Sequence, residues 1–379
     1  MVNKVNKRFG GRAGVANRIR ETLPELRIRR PNEMHVHFRN DAMLKSVVPY
    51  TARQFGRAVV MPNTPSPIVT TLDAIAYRDE IVKAVPDNIK FTPLMMAYLT
   101  PNTNPDDIAQ GFSDGVFFGA KLYPAGATTN SNFGVSNISQ IADVLKIMEQ
   151  IGMPLSIHGE VADPDIDIFD REALFITTIL SDILSTYPAL KVTMEHITTT
   201  TAVDFLKSAG DNVAATITPQ HLIYNRNDML AGGIRPHLYC LPILKREENR
   251  LALRALATSG FNRVFLGTDS APHSLSKKEC ECGCAGVFSA INALEFYVNV
   301  FDEENALDKF EGFATTNAET FHNFQPSHDY VNLIKSGNIV PNKLTIPGVN
   351  EKLVPMCSGD IIPWRADYLI TKLSEHPEI

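Results

Sequence analysis

Five side chains able to ligate a metal fall at or near the ends of short apolar runs. The first run is Met34-His35-Val36-His37-Phe38-Arg39. Side chains alternate along a strand, so His35, His37 and Arg39 share one side. Two imidazoles two residues apart on a rigid strand can hold one ion, although an isolated H-x-H reads as a pair of ordinary histidines. Three other runs change that balance. His158 ends Leu155-Ser156-Ile157-His158, His196 ends Val192-Thr193-Met194-Glu195-His196, and Asp269 ends Phe265-Leu266-Gly267-Thr268-Asp269. Four His and one Asp are the nitrogen and oxygen donors that suit a borderline ion such as zinc. An ion held this way makes hydrolytic chemistry available, because bound water ionises near pH 7.

Lys121 lies in a further apolar run, Gly119-Ala120-Lys121-Leu122-Tyr123. Burying an ammonium there is costly unless something neutralises it. A structural Lys paired with an acid is one reading. The other is covalent: nearby dications depress the amine's pKa, the free amine captures carbon dioxide, and the carbamate bridges two metals. The sequence leaves both open.

These residues need elements to hold them. Eight short runs read as buried strands: Met34–Phe38, Arg57–Met61, Phe91–Met96, Ala120–Tyr123, Pro154–His158, Lys191–Glu195, Ala214–Thr218 and Arg263–Gly267. Helix-like stretches alternate with them at Ala42–Gln54, Thr71–Val85, Ser136–Ile151, Asp170–Ser185, Thr201–Ala209, Arg246–Ser259 and Ala285–Val300. Ser136 is the expected cap of its helix, and Gly152 the expected stop. Strand and helix alternating about eight times predicts an α/β fold, a TIM (β/α)8 barrel. No Gly-rich dinucleotide turn follows the first strand, which disfavours an open doubly wound sheet. The candidate ligands then sit at the carboxyl ends of barrel strands, where sites of this fold form. Residues 26–379 are expected to be one barrel domain, its last part (about 325–379) an irregular, proline-punctuated cap over one end.

The chain has 379 residues, 44% apolar and 21% charged, with a net charge of −6. No run approaches the roughly 18 apolar residues of a membrane helix, and mild acidity disfavours non-specific nucleic-acid binding. A soluble, cytoplasmic protein is expected, with neither membrane nor nucleic acid as partner. Residues 1–30 hold nine Lys/Arg against two Glu, leaving −13 for the rest. Residues 1–25 are accordingly read as a basic, partly flexible leader rather than a transit peptide, for they lack Ser and an apolar face. Cys240, Cys280, Cys282, Cys284 and Cys357 are odd in number, which argues for a reducing compartment. The Cys280/Cys282/Cys284 spacing is too tight for an ordinary zinc pair and reads as free thiols. His221, His237, His322, His328 and His376 read as packing or surface residues, and Trp364 as packing in the cap. Glu160 and Glu195 either orient the neighbouring histidines or are solvated.

The ordered set of segments resembles the single-domain bacterial dihydroorotases of the amidohydrolase superfamily. The resemblance is carried by Ile28-Arg29-Arg30-Pro31 before the H-x-H-x-R, Val60-Met61-Pro62-Asn63, Ala120-Lys121-Leu122-Tyr123-Pro124, Ala127-Thr128-Thr129-Asn130-Ser131, Ile157-His158-Gly159-Glu160, Glu195-His196-Ile197-Thr198-Thr199, Thr218-Pro219-Gln220-His221, Tyr239-Cys240-Leu241-Pro242, Gly267-Thr268-Asp269-Ser270-Ala271-Pro272-His273 and Cys284-Ala285-Gly286. It runs collinearly from about residue 26 to 300 and fades outside. The resemblance implies two zinc ions. His35, His37 and Asp269 would hold one, His158 and His196 the other, and an N6-carboxylysine at Lys121 would bridge them beside a hydroxide. It also implies that Arg39, Asn63, His158 and His273, with backbone at Leu241 and Ala285, bind the substrate. Thr128 and Thr129 would ride a mobile loop. Asn40 departs from the acid common in the family, which touches only support for the histidines.

The implied reaction interconverts N-carbamoyl-L-aspartate and L-dihydroorotate in pyrimidine (UMP) biosynthesis, with Asp269 as general acid/base and a homodimer as the assembly. The substrates are small anions. Arg39 offers a planar fork for a carboxylate, against the alternative of a structural salt bridge. Two other readings compete: a hydantoinase or dihydropyrimidinase of the same superfamily, and a catalytically silent scaffold barrel. An acid-binding set at Arg39, Asn63 and His273 disfavours the first, and a complete ligand set disfavours the second.

Overall fold

The computed structural model describes residues 23–368. Most of the basic leader, and His376, lie outside the described residues. After β1 (Glu25–Arg29), the eight short runs form β2 (Asn32–Val36), β3 (Arg57–Val60), β4 (Thr92–Tyr98), β5 (Phe117–Leu122), β6 (Leu155–Ile157), β7 (Val192–Met194), β8 (Val213–Ile217) and β9 (Val264–Leu266). β2 to β9 pair in chain order, each parallel to the next. Backbone hydrogen bonds close the seam: the Asp269 N–H donates to the His35 carbonyl (2.8 Å) and the His37 N–H to the Ser270 carbonyl (3.1 Å). The sheet is therefore a TIM barrel, as the alternation predicts.

Alternation along each strand sorts the core into two layers. Val59, Met96, Ala214 and Phe265 belong to a small cluster, whereas their neighbours Ala58, Val60, Met95, Ala97, Val213, Ala215, Val264 and Leu266 all belong to the large cluster under the helices. Phe321 completes the small cluster from the helix Asn317–His322. That helix floors the barrel at the amino ends of the strands. Asn317 donates to the Val264 carbonyl (2.9 Å), and Lys191, just before β7, donates to the Phe321 carbonyl (2.8 Å). The opposite, carboxyl rim is left for chemistry. Phe265 is fully buried, and its burial contributes roughly 1.5–3 kcal/mol relative to exposure.

Most helices start and stop on their expected signals. Thr70 and Asp73 form a reciprocal capping box for Thr71–Ala84, and Gly152 ends Ala142–Ile151 at φ 72°. Three expectations change. The cap before that last helix is Asn137, not Ser136: its side chain accepts from the Ser139 N–H, and a 3₁₀ turn, Ile138–Ile141, comes first. A helix at Pro105–Ser113, capped by Asn104, fills the β4–β5 crossover that the sequence reading left blank. The expected helix Ala285–Val300 begins only at Ala293 and runs to Glu303. Gly286 explains the delay. Its φ is 149°, and a Cβ there would lie 2.3 Å from the Ala271 carbonyl oxygen, so the chain is extended against the barrel rim.

The C-terminal stretch is more regular than expected. β10 (Tyr330–Ile334) pairs with β1 on one side and with β15 (Arg365–Tyr368) on the other. Between them, β11 (Asn338–Ile339) pairs with β14 (Ile361–Ile362), and β12 (Leu344–Thr345) with β13 (Lys352–Leu353). Trp364 is fully buried and donates to Asp302 at 3.1 Å, fastening this layer to the helix Ala293–Glu303.

Candidate active site

Three ligand atoms converge where the barrel seam closes. His37 Nε2 lies 2.9 Å from Asp269 Oδ1, while His35 Nε2 lies 3.3 Å from His37 Nε2 and 3.3 Å from the same oxygen. All three residues are buried, and these atoms fall within 4.8 Å of one another. The seam hydrogen bonds that close β9 onto β2 bring Asp269 to the histidines. A one-residue register slip between Glu33 and Val36 also matters: Met34 joins the barrel's inner cluster while the next residue, His35, serves the site.

The other expected residues gather around this cluster. The His196 ring centroid is 5.0 Å from that of His35 and 4.7 Å from that of His158. Lys121, on β5, is fully buried; its Nζ has no hydrogen-bond partner and lies 5.3 Å from the Tyr123 ring centroid. His35 Nδ1 is 2.8 Å from Glu195 Oε2, and His158 Nε2 is 2.8 Å from Glu160 Oε2. Each carboxylate fixes the ring nitrogen it meets as donor, and in His35 the other nitrogen, Nε2, faces His37 and Asp269. Glu160 and Glu195 are thus buried orienting groups, not solvated ones. His35 and His158 take their carboxylate partners from Glu195 and Glu160, not from residue 40.

Charge in this site is far from balanced. Burial pushes His37 down to about 4 although Asp269 opposes it, and burial with nearby His158 takes His196 well below its usual range. Burial lowers Lys121 to about 8 against the pull of Glu195 and Asp269. Burial would raise the Glu195 carboxyl, but the His35 and Lys121 charges and its hydrogen bonds hold it at about 2. Asp269 is likewise held well below the carboxylate range, its burial outweighed by His35 and His37. Burial lowers His35, yet Glu195 and Asp269 outweigh it and hold it above its ordinary value. Ionised carboxylates beside lone-pair nitrogens are the ligating forms, and a cation at the centre would compete with the proton that Glu195 and Asp269 favour on His35. The His196 Nδ1, buried and unpartnered, fits the same conclusion. Backbone strain concentrates here too: Arg39, His196 and Asp269 sit at φ 60°, 42° and 44°, unusual for residues with a Cβ.

Above the cluster lies a ring of polar groups. Arg39 Nε donates to the Pro272 carbonyl at 3.0 Å, and its terminal nitrogen is 3.0 Å from His273 Nε2. That same Nε2 is 3.0 Å from the Ala285 carbonyl, so it accepts from Arg39 or donates to Ala285, one at a time. Burial first, then Arg39, pushes His273 down to about 2, so the ring is neutral. Asn63 Nδ2 donates to the Thr129 carbonyl (2.9 Å) and Asn130 Nδ2 to the Asn63 carbonyl (2.9 Å). Thr129 Oγ1 reaches the Ala285 carbonyl at 3.4 Å, and the Thr128 N–H donates to Ser131 Oγ at 2.9 Å. The Thr128–Thr129 loop is therefore drawn over the rim. The stretch leading to Leu241, which is joined to Pro242 by a cis peptide, meets the stretch after Ala285 where the Gly286 N–H donates to the Tyr239 carbonyl at 2.9 Å.

Sequence reading missed several supports. Glu172 accepts from the Thr198 N–H (2.8 Å) and holds the stretch after His196. Tyr98 donates to the Asn130 carbonyl (3.1 Å) under the loop, and Lys278 joins two rim segments. None carries a local signal, since each acts on residues distant in the chain. Of the histidines read as structural, His221 is buried between Thr218 Oγ1 (2.7 Å) and the Pro242 carbonyl (2.9 Å), and His322 packs in the barrel floor.

Comparison with known proteins adds an independent line. Residues 33–356 match the model of the amidohydrolase family. A dihydroorotase of Novosphingobium aromaticivorans is 54% identical over 340 residues, covering 90% of this chain and 98% of the relative. The solved dihydroorotase of Campylobacter jejuni superposes with a TM-score of 0.83 at 35% identity, covering 92% of this chain and 99% of that one. The Saccharomyces cerevisiae dihydroorotase, solved with 5-fluoroorotic acid, gives 0.84 at 32% identity, with 91% and 98% covered.

Proposed function

Because this chain belongs to the amidohydrolase family and, within it, to the dihydroorotases, we propose that it interconverts N-carbamoyl-L-aspartate and L-dihydroorotate plus water in pyrimidine biosynthesis. The observation that carries this reading is the convergence of His35, His37 and Asp269 within 4.8 Å at the rim, beside the buried, unpartnered Lys121 amine and beneath Arg39 and His273. His35, His37 and Asp269 would hold one zinc ion, and His158 and His196 a second, with Lys121 carboxylated between them. Bound there, such ions lower the pKa of water and polarise an amide carbonyl.

The chain's own groups do the rest. Asp269 takes the proton of the attacking water and returns it to the ring nitrogen as the amide bond breaks. Its strongly lowered pKa makes it a weak base, which proximity to the reacting atoms offsets. Arg39 presents a fork to the substrate carboxylate, with Asn63 and His273 adding donors and the backbone at Leu241 and Ala285 holding the ring. The loop bearing Thr128 and Thr129 excludes water. The five cysteines form no disulfide with one another, which suits the cytoplasm.

The test is turnover by the metal-replete protein together with its metal content. We expect ring opening of dihydroorotate, far weaker turnover of uncharged dihydrouracil, and close to two zinc equivalents per chain. Preference for dihydrouracil would reassign the enzyme, and a metal-free, inactive protein after metal-replete expression would mark a scaffold.

A further inference from the structure

One buried ammonium at the rim makes three hydrogen bonds to backbone. Lys278, at the end of the short helix Leu275–Lys278, is 3% exposed. Its Nζ donates to the carbonyls of Tyr239 (2.9 Å), Cys284 (2.7 Å) and Gly286 (2.8 Å). An ammonium has three donors and no acceptor, so these contacts exhaust it. They join two stretches that belong to no helix or strand: one leads to Leu241, the other contains Ala285. The Ala285 carbonyl in turn meets His273 and Thr129. Lys278 therefore ties together the backbone on either side of the carboxylate-binding groups.

A buried lysine is an expensive staple if packing is all it provides, since an apolar side chain would fill the space without desolvating a charge. Here the charge has neighbours that give it a use. Arg39 lowers the proton affinity of Lys278 and of His273, and Lys278 lowers that of His273, so the three groups lie in one local field. Burial lowers Lys278 to about 8, with Cys240 and Cys284 opposing it and Arg39 adding to it.

Resting on the proposed dihydroorotase reading, the geometry points to Lys278 as a positioning residue for substrate recognition. It clamps the Tyr239–Leu241 stretch to the Cys284–Gly286 stretch, so that both offer their backbone to a carboxylate-bearing ring, and it keeps one more cation beside Arg39. It touches no reacting atom.

Lys278→Met keeps the apolar stem and removes all three donors. In the metal-loaded enzyme, KM for dihydroorotate and Kd for 5-fluoroorotate should rise together by about tenfold or more, as expected for loss of a charged hydrogen-bonding group. The kcat should stay within about threefold, because the clamp acts on binding. A role in packing alone would lower Tm and leave KM and Kd in place, which overturns the inference, as does a fall in kcat without a change in KM. If the Met variant does not fold, Lys278→Gln decides on the same readouts: it is neutral and one atom shorter, so it cannot reach all three carbonyls. Wild-type protein that does not open dihydroorotate overturns the parent reading and this one with it. Active wild type with unmoved variants overturns the clamp alone.

Discussion

At the scale of single residues, two of the site's imidazoles are each held by a buried carboxylate. Glu195 holds His35 and Glu160 holds His158, each at 2.8 Å, so either ring that turned away would cost a buried carboxylate a hydrogen bond. Asp269 is the residue to which the proposed function gives two duties, ligand and proton carrier. Asp269→Asn keeps an oxygen for ligation and loses the proton shuttle. We expect turnover to fall by about 10³-fold, within the range for a lost general acid/base, while elemental analysis still finds bound metal. Retention of more than about a tenth of the wild-type rate would remove Asp269 from proton transfer.

At the scale of elements, the barrel separates a dry floor from a reactive rim. His322 belongs to the floor. Its ring lies 4.8 Å from Phe321, 5.1 Å from Phe118 and 5.7 Å from Phe265, and neither nitrogen has a hydrogen-bond partner. Burial first, then Lys191, lowers it from 6.5 to about 3. Between those values the unfolded chain binds a proton that the native state does not. Stability is therefore full above about 6.5 and falls as pH drops toward 3, by at most about 1.4 kcal/mol per pH unit from this group. His322→Phe removes that proton. Its Tm should drop less than the wild type's between about pH 7 and about pH 5, and equal drops would show that this ring does not drive acid sensitivity. The helix Pro105–Ser113 was legible and overlooked: Asn104-Pro105 is a cap followed by proline in the first turn. The late start at Ala293 was not legible, because it depends on Gly286 meeting the Ala271 carbonyl across the rim.

At the scale of the whole molecule, the seam between β9 and β2 couples folding to the assembly of the candidate ligands. Residues 35 and 269 are far apart in sequence, yet one hydrogen bond of 2.8 Å both closes the barrel and seats Asp269. An ion bound by the native state and not by the unfolded chain stabilises it by mass action, about 4 kcal/mol at a thousandfold excess over Kd. Chelation should therefore lower Tm by at least about 5 °C, and zinc should restore it. A Tm that does not move, with metal loss verified by elemental analysis, would show that the site is built without help from its ions.

What the sequence determined by itself is local. Short apolar runs alternating with amphipathic stretches need only chain neighbours to be read, and they placed His35, His37, Lys121, His158, His196 and Asp269 on strands or at strand ends. Tertiary structure decided what those groups experience. Glu195 reaches His35 across 160 residues, and Lys278 reaches Tyr239 across 39. Glu160 and Glu195, ambiguous beside their histidines in the sequence, became buried partners only once the barrel closed. A carboxylate's role is set by its solvent exposure and by which charges face it. Both are properties of packed space, which the order of residues along the chain does not encode one position at a time.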